Sequence, residues 1–284
     1  MEPKRIVVLL GSPRKRETFQ AVQQFERALR VAYRPELDFE YVWLRDFRIE
    51  PCAGCFACLS KGEEFCPRQD DRDLLLVKLY RADGVVFATP NYALQVTALM
   101  KNFLDRLAFV FHRPRFFGKT FIAIVTQGVF GGSGVVRYLT KLARMWGFQA
   151  AQGVCINTIA PRTPAEDAVL RRKLGRAAVR FARWLRRPGP ARPSYFMLTL
   201  FRLIRASYRA VPDPASRDRR YFQEHGWFET EYFYPAPLSP GQRIVGALVD
   251  WMAARLAKRR SAELDRRAGE SETAAGERRR RGGS

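Results

Sequence analysis

Five apolar runs alternate with segments of helical periodicity, and this alternation constrains the fold more than any other feature of the chain. The runs are apolar throughout rather than at every second residue, which indicates strands buried on both faces of a sheet. The pattern predicts a doubly wound, five-stranded parallel α/β sheet in the order 2-1-3-4-5. The predicted strands are Ile6–Leu10, Phe39–Leu44, Gly84–Thr89, Thr120–Thr126 and Gln152–Ile159. The predicted helices are Thr18–Val31, Asp71–Arg81, Val96–Phe111, Ser133–Trp146 and Ala165–Arg186.

The first predicted strand runs directly into the segment GSPRKRET, residues 11–18, and then into a helix. Backbone amides at a helix N-terminus lack an internal partner and favour an anion. Hydroxyl donors come from Ser12 and Thr18, and charge-assisted hydrogen bonds from Arg14, Lys15 or Arg16. The segment has neither the three-glycine dinucleotide fingerprint nor a Gly-Lys-Ser/Thr sequence. It therefore favours a terminal monophosphate, and the alternative is an ordinary strand-to-helix turn in a basic protein.

Two further turns follow the third and fourth predicted strands, Pro90-Asn91-Tyr92 and Thr126-Gln127-Gly128. Glycines at 128, 131 and 132 let the backbone approach a flat ligand. Tyr92 offers a stacking face, and its alternative role is that of a surface aromatic at a helix start. Together with the first loop, these turns resemble the NAD(P)H-dependent FMN reductases of the flavodoxin-like group, over roughly residues 4 to 187.

The resemblance implies a flavodoxin-like fold and non-covalently bound FMN. The residues expected to hold the FMN phosphate are Ser12, Arg14, Lys15 and Thr18. Those expected to flank its ring are Pro90, Asn91, Tyr92, Thr126, Gln127, Gly128 and Gly132. One departure from the family concerns the first loop, where Glu17 replaces part of an Asn-x-Asn-Thr-like stretch. A carboxylate beside a phosphate is unfavourable unless Glu17 turns outward and pairs with an arginine.

Four of the five cysteines lie in one short segment, as Cys52-x2-Cys55-x2-Cys58-x7-Cys66 followed by Pro67. This spacing fits a cubane iron–sulfur cluster, four-thiolate zinc, or metal-free redox thiols. The segment resembles that of the iron–sulfur flavoproteins, which implies a 4Fe-4S cluster on these four cysteines. The longer spacing to Cys66 leaves its role as the fourth ligand open. Cys155 lies inside the fifth predicted strand and is expected to be an inert thiol.

The net charge of +22 favours acidic partners, although a genome-wide arginine bias explains it equally well. No signal peptide is visible and no apolar stretch has the length of a membrane span, so we expect a cytoplasmic protein. Neither His112 nor His225 is expected to be catalytic. Lys101, Asp105 and Arg106 are expected to form surface pairs on their helix.

A different composition begins after Pro188-Gly189-Pro190. We predict a flavodoxin-like FMN-binding domain over 1–187, a helical and aromatic extension over 188–260, and a disordered charged tail over 261–284. In the extension we predict helices near 195–208 and 242–260, on either side of an aromatic stretch. The last helix has a stripe of Ile244, Val245, Leu248, Val249, Met252 and Leu256. Packing of that stripe against the main domain or a second subunit is favoured over an interfacial membrane helix.

The function implied is an NAD(P)H-dependent FMN oxidoreductase that passes electrons to an unknown acceptor, directly or through a cysteine-ligated cluster. The alternative is a non-enzymatic flavodoxin-like carrier between protein partners, whose basic surface would dock an acidic partner. A third hypothesis is a nucleic-acid-binding or membrane-associated regulatory protein, but no recognised nucleic-acid-binding fold supports it. The acceptor is a small molecule or a protein, membrane contact is at most peripheral, and a homodimer is expected.

Overall fold

The structure is a computed structural model that describes residues 2–210, 216–256 and 259. The chain divides into two compact units, Met1–Ala191 and Arg192–Ser284. The domain boundaries predicted above stay predictions, and the tail predicted to be disordered lies outside the described residues.

The first unit is built on a parallel sheet. Its strands are β1 (Lys4–Leu10), β2 (Leu37–Trp43), β3 (Gly84–Pro90), β4 (Thr120–Gln127), β5 (Gln149–Ala150) and β6 (Val154–Asn157). The order is β2-β1-β3-β4-β5, and β6 also pairs with β4. This order confirms the predicted 2-1-3-4-5 arrangement, which places the carboxyl ends of β1, β3 and β4 side by side.

The fifth strand differs from its prediction, because it consists of two pieces rather than one run from 152 to 159. β5 pairs with the start of β4 and β6 with its end. Between them, Gly153 passes so close to β4 that a Cβ atom would lie 2.7 Å from the carbonyl oxygen of Ala123. The predicted run contains β6, whereas the two-residue piece β5 lies before it and was not predicted.

Helices cover both faces of the sheet. The helices of this unit are α1 (Glu17–Tyr33), α2 (Ala57–Ser60), α3 (Arg72–Arg81), α4 (Ala98–Arg106), α5 (Phe109–His112), α6 (Gly132–Met145) and α7 (Pro164–Leu185). Short 3-10 turns cover Leu44–Asp46 and Glu63–Phe65. One core cluster lies between the sheet and α3, α4 and α6, and a second lies between the sheet and α1 and α7. The apolar strands are therefore buried on both sides, as their composition indicates.

The helix predicted over 96–111 is two helices, α4 and α5. α4 begins after Thr97, whose hydroxyl accepts a hydrogen bond from the amide of Met100 and donates one of 2.6 Å to the carbonyl of Gly11. The same side chain thus caps α4 and fastens it to the loop that follows β1.

The second unit has an aromatic core between α8 (Tyr195–Ala210), α9 (Arg217–Glu224) and a helix over 240–256, here α10. The rings of Phe201, Phe222, Trp227 and Phe233 are buried and contact one another edge to face or stacked. Arg202 and Arg205 are also buried, and both pair with Asp250 of α10.

The apolar stripe predicted on the last helix is mostly exposed. Val249 is buried, whereas Ile244, Leu248, Met252 and Leu256 are 47–63% exposed. α10 is oriented so that Asp250 contacts the two buried guanidinium groups of α8. A carboxylate stabilises a buried guanidinium more than an apolar side chain would. Across the described residues, no helix combines the length and apolar character that crossing a bilayer requires.

Candidate cofactor sites

The first loop meets the end of β4 through two hydroxyls. The Oγ1 atoms of Thr18 and Thr126 lie 2.7 Å apart in a buried hydrogen bond. Ser12 is buried as well, and its hydroxyl donates to the carbonyl of Arg14. The side chains of Arg14 and Lys15 are exposed. The loop therefore has hydroxyls inside and cations at its rim.

The start of α1 is open to an anion. Arg16, the residue before its first turn, makes no side-chain capping hydrogen bond in the described structure. Glu17 turns away and forms an ion pair with Arg162, which also pairs with Asp167 at 2.8 Å. Glu17 therefore turns outward and pairs with an arginine, as expected for a carboxylate beside a phosphate site.

The turn after β3 is strained. The amide of Asn91 donates to the carbonyl of Thr126, and Tyr92 and Gln95 exchange two backbone hydrogen bonds of 2.9 Å. The two residues between them, Ala93 and Leu94, have φ of +48° and +64°. Such conformations cost non-glycine residues about 1–3 kcal/mol each and cluster at functional sites. Tyr92 is 45% exposed at this turn.

The loop after β4 is braced by Gln127. The Gln127 side chain donates to the Val129 carbonyl and to Oδ1 of Asn157, and its Oε1 accepts from the amide of Gly132 at 2.6 Å. Gln127, predicted to face the ring, thus has its side-chain amide engaged within the protein. A Cβ on Gly132 would lie 2.6 Å from Sγ of Cys155, so this glycine serves protein packing.

Gly128 has open space beside it, and Asn91 has an acceptor without a donor. A Cβ on Gly128 would meet nothing within 4 Å. Nδ2 of Asn91 donates to the carbonyl of Phe130, whereas its Oδ1 is buried and accepts no hydrogen bond from the described residues. A buried acceptor without a donor is costly. A flavin ring, which has N–H groups at its edge, would relieve that cost, so these residues fit the cofactor.

The cysteine segment lies between β2 and α3. Cys52 and Cys55 are exposed, while Cys58 and Cys66 are half-buried. Burial raises the pKa of the Cys58 thiol, Arg113 opposes that rise, and the neighbouring thiols of Cys66, Cys52 and Cys55 add to it. The four thiols are therefore near enough to influence one another. Among the described residues, however, no group of three or more histidine, cysteine, aspartate or glutamate side chains is arranged so that it could hold a metal ion.

Buried arginines hold this segment in place. The guanidinium of Arg106 pairs with Asp70, and neither side chain is more than 1% exposed. The Arg106 guanidinium also donates to the Glu50 carbonyl at 2.8 Å, to the Arg68 carbonyl and to Sγ of Cys66 at 3.6 Å. Burial would raise the pKa of Asp70, but the hydrogen bonds from Arg106 and two backbone amides hold it below its usual value. Arg106 is thus a buried anchor rather than the surface residue expected, while Lys101 and Asp105 form the expected pair.

A second anchor is Glu63, in the 3-10 turn before Cys66. Its carboxylate accepts hydrogen bonds of 2.8 Å from Arg113 and from Arg115, and Arg113 also donates to the carbonyl of Cys58. Burial would raise the pKa of Glu63, but the two arginines lower it overall. The fully buried guanidinium of Arg113 therefore holds both the segment around Cys58 and the turn before Cys66.

Comparison with known proteins decides the family. The sequence model for NADPH-dependent FMN reductase matches residues 4–158, more than half of the chain. The chain belongs to the NADPH-dependent FMN reductase family. The matched region contains β1 to β6, the three strand-end loops and the four clustered cysteines.

Two relatives of this FMN reductase-family chain are iron–sulfur flavoproteins of Archaeoglobus fulgidus. They are 37% identical over 144 residues and 32% identical over 130, covering 50% and 45% of the chain. The matches span 64% and 61% of the relatives' own length, less than two thirds of each. Among solved structures, RosB with its bound intermediate 8-demethyl-8-formylriboflavin-5'-phosphate superimposes with a TM-score of 0.51. It is 13% identical and covers 84% of this chain and 92% of its own, a likeness of fold alone.

Some residues of this family member were missed by sequence reasoning. Thr97 carried a signal, because a threonine directly before an apolar helix predicts an N-cap. The contacts of Arg106 and Arg162 have no local sequence signal, because their partners Asp70 and Glu17 are 36 and 145 residues away in sequence. Cys155 is half-buried, and burial raises the pKa of its thiol.

Proposed function

We propose that this protein is an NAD(P)H-dependent FMN oxidoreductase that passes electrons to an acceptor through an iron–sulfur cluster. The observation that carries the proposal is the convergence of three loops at the carboxyl edge of the sheet. Thr18 and Thr126 join the first and third of these loops, and Asn91 of the second contributes a buried acceptor without a donor.

The first loop would hold the FMN phosphate. The uncapped amides at the start of α1 would supply neutral donors, and Arg14 and Lys15 would supply charge at the rim. The hydroxyls of Ser12 and Thr18 would turn from their partners Arg14 and Thr126 to donate to the phosphate. The Glu17–Arg162 pair keeps the Glu17 carboxylate directed away from the anion.

The other two loops would hold the ring. Asn91 Oδ1 would accept a hydrogen bond from a ring N–H, and Tyr92 would cover a ring face. Gly128 leaves open space on the remaining side, and its amide can stabilise negative charge on the ring. When bound, FMN supplies two-electron acceptance from nicotinamide and release of the electrons one at a time. The protein positions the ring and its polar edge.

The four clustered cysteines would hold a 4Fe-4S cluster. The donor chemistry supports this assignment, because thiolates are the ligands that such clusters require. The names of the Archaeoglobus relatives support it too. Arg106 directs a charged donor at Cys66 Sγ, which fixes the position of that sulfur. Acquiring the cluster would draw the two exposed cysteines, Cys52 and Cys55, toward the anchored pair.

The oligomeric state and location are part of the proposal. We infer a protein of the cytoplasm that forms a homodimer, and exposed apolar side chains next to the candidate site support the dimer. Leu94, Val129 and Phe130 are 56–71% exposed there, and patches of this kind mark ligand or subunit contacts. The acceptor, a small molecule or a protein, follows from neither the fold nor the family.

Anaerobic rapid mixing with NADPH and with NADH tests the reductase proposal. The FMN-loaded protein should lose its flavin absorbance at rates of the order of 10 s⁻¹ with at least one of the two dinucleotides. Free FMN at the same concentration is the control, since it reacts slowly without the protein. If bound FMN stays oxidised with both dinucleotides, the protein is not a reductase, and the electron-carrier alternative stands.

A further inference from the structure

One side of α10 is apolar and exposed. Ile244, Leu248, Met252 and Leu256 recur every four residues, and Trp251 lies among them. All five side chains, here called the α10 face, are 47–63% exposed. Their spacing places them on one side of the helix, over about 18 Å of its length. Contiguous exposed apolar side chains of this kind mark a contact with a partner or a membrane.

The other side of α10 is held by the second unit itself. Val249 and Ala253 are buried there. Asp250 pairs with Arg202 and Arg205 of α8, whose side chains are only 8% and 7% exposed. Taking the carboxylate away from two buried guanidinium groups is costly. α10 therefore cannot rotate to bury its exposed side, and the α10 face stays directed outward.

The exposed charges of α10 are all positive. Asp250 is the only carboxylate within residues 240–256, and α8 engages it. Arg243 and Arg255 are exposed, and neither pairs with a carboxylate among the residues that the structure describes. The guanidinium of Arg255 lies 5.4 Å from the centroid of the Trp251 ring. The α10 face therefore carries cations beside its apolar side chains and no anion.

A second amphipathic ring adjoins the start of α10. Tyr195, the first residue of α8, is 52% exposed, and a Cβ on Gly241 would lie 2.8 Å from its hydroxyl oxygen. Trp251 follows about three turns later along α10. Tyrosine and tryptophan are enriched where a bilayer meets water, because each combines an apolar ring with a polar group that stays hydrated.

We propose that the α10 face docks this protein on a negatively charged phospholipid surface, with α10 lying in the plane of the headgroups. The apolar side chains would enter the boundary between headgroups and acyl chains by about 5–10 Å. Arg243 and Arg255 would bind lipid phosphates, and the side of α10 that contacts α8 would remain with the protein. The inference goes beyond the proposed function and requires no flavin.

The charges favour this occupant over two others. In a two-fold contact between copies of the chain, both α10 faces would bring the same arginines into one interface, with no carboxylate of α10 to pair with them. A nucleic acid would match the arginines but would leave the five apolar side chains in water. A phospholipid surface suits both, because it offers phosphates next to hydrocarbon.

Co-sedimentation of the full-length protein with vesicles of equal parts phosphatidylcholine and phosphatidylglycerol tests the proposal. The double variant Leu248→Ser/Trp251→Ser should bind these vesicles about 100-fold more weakly, since each inserted apolar side chain contributes about tenfold. The variant Arg243→Gln/Arg255→Gln should bind them about 30-fold more weakly, because each arginine near anionic lipid contributes about 1 kcal/mol. All four positions are exposed, so the fold should be retained.

The matched control is Val31→Ser/Val179→Ser, which removes apolar side chains of α1 and α7 that are 78% and 52% exposed. It should bind the vesicles as the wild type does. The control is needed because a net charge of +22 attracts any anionic surface. If Leu248→Ser/Trp251→Ser binds as tightly as the wild type, net charge alone holds the protein on the vesicle and the proposal is overturned. A wild type that stays in the supernatant overturns it as well.

Sedimentation velocity without lipid tests whether a second copy occupies the α10 face instead. We expect the wild type and Leu248→Ser/Trp251→Ser to have the same oligomeric state, since the dimer is assigned to the exposed patch of Leu94, Val129 and Phe130. A wild-type dimer that becomes a monomer in this variant would make the α10 face a subunit contact, and the lipid proposal would be wrong.

Discussion

Replacing Arg106 by methionine should lower the free energy of unfolding by about 3–5 kcal/mol, as expected when one partner of a buried ion pair is removed. The Asp70 carboxylate would remain fully buried without its guanidinium partner. The carbonyls of Glu50 and Arg68 would also lose their donors. Urea unfolding followed by fluorescence measures the change.

The control for this variant is on the same helix. Lys101 and Asp105 pair at 2.6 Å, and both side chains are nearly half exposed. Because solvent screens such pairs, Lys101→Met should change the free energy of unfolding by less than about 1 kcal/mol. Equal effects of the two substitutions would show that the Arg106 pair does not anchor the cysteine segment.

The Arg106 effect should also depend on pH. In the wild type the pKa of Asp70 lies below its ordinary value, so the pair stabilises the fold above about pH 4 and loses that contribution as the pH falls. In Arg106→Met, burial is no longer opposed by the guanidinium, so protonation of Asp70 relieves part of the cost. The difference in unfolding free energy between the two proteins should therefore begin to shrink above pH 4, as Asp70 of the variant binds a proton, and should shrink further below about pH 4, as the wild type loses its ion pair.

Replacing Cys58 by serine should remove essentially all the iron from anaerobically purified protein. Each of the four irons of a cubane cluster needs a ligand, and Cys58 is the third cysteine of the motif, held through its carbonyl by Arg113. Iron and sulfide analysis, together with the broad visible absorbance of the cluster, measures the loss. FMN content should stay unchanged, because the three flavin loops lie outside this segment.

Cys155→Ser is the matched control for the cluster. Cys155 is also a half-buried free thiol, but it lies on β6, outside the four-cysteine segment. Its variant should keep the iron content of the wild type. An iron-free wild type containing one zinc per chain would establish the zinc alternative. A Cys58→Ser protein with wild-type iron would exclude this thiol as a ligand.

The fold of the first unit was predictable because its strands are apolar on both faces. β1, β3 and β4 were located to within one or two residues, since only a covered parallel sheet requires such runs. The interrupted fifth strand was not predictable, because a close approach between Gly153 and β4 is a tertiary event without a local signature.

The candidate site was predictable in its loops but not in its details. A glycine turn after a first strand, and turns after the third and fourth, are local patterns. That the Gln127 side chain braces its own loop depends on a contact with Asn157, 30 residues away, and its predicted place beside the ring stays a prediction. The orientation of α10 has no local sequence signal either, since Asp250 pairs with arginines 45 and 48 residues away in sequence.

The most direct test of the central claim is a fluorescence titration of flavin-free protein with FMN and with riboflavin. A site built on the first loop should bind one FMN per chain. It should bind riboflavin at least about 100-fold more weakly, because two charge-assisted hydrogen bonds to the phosphate of about 1.5 kcal/mol each would be lost. Equal affinity for the two flavins, or no binding of FMN, would contradict the account.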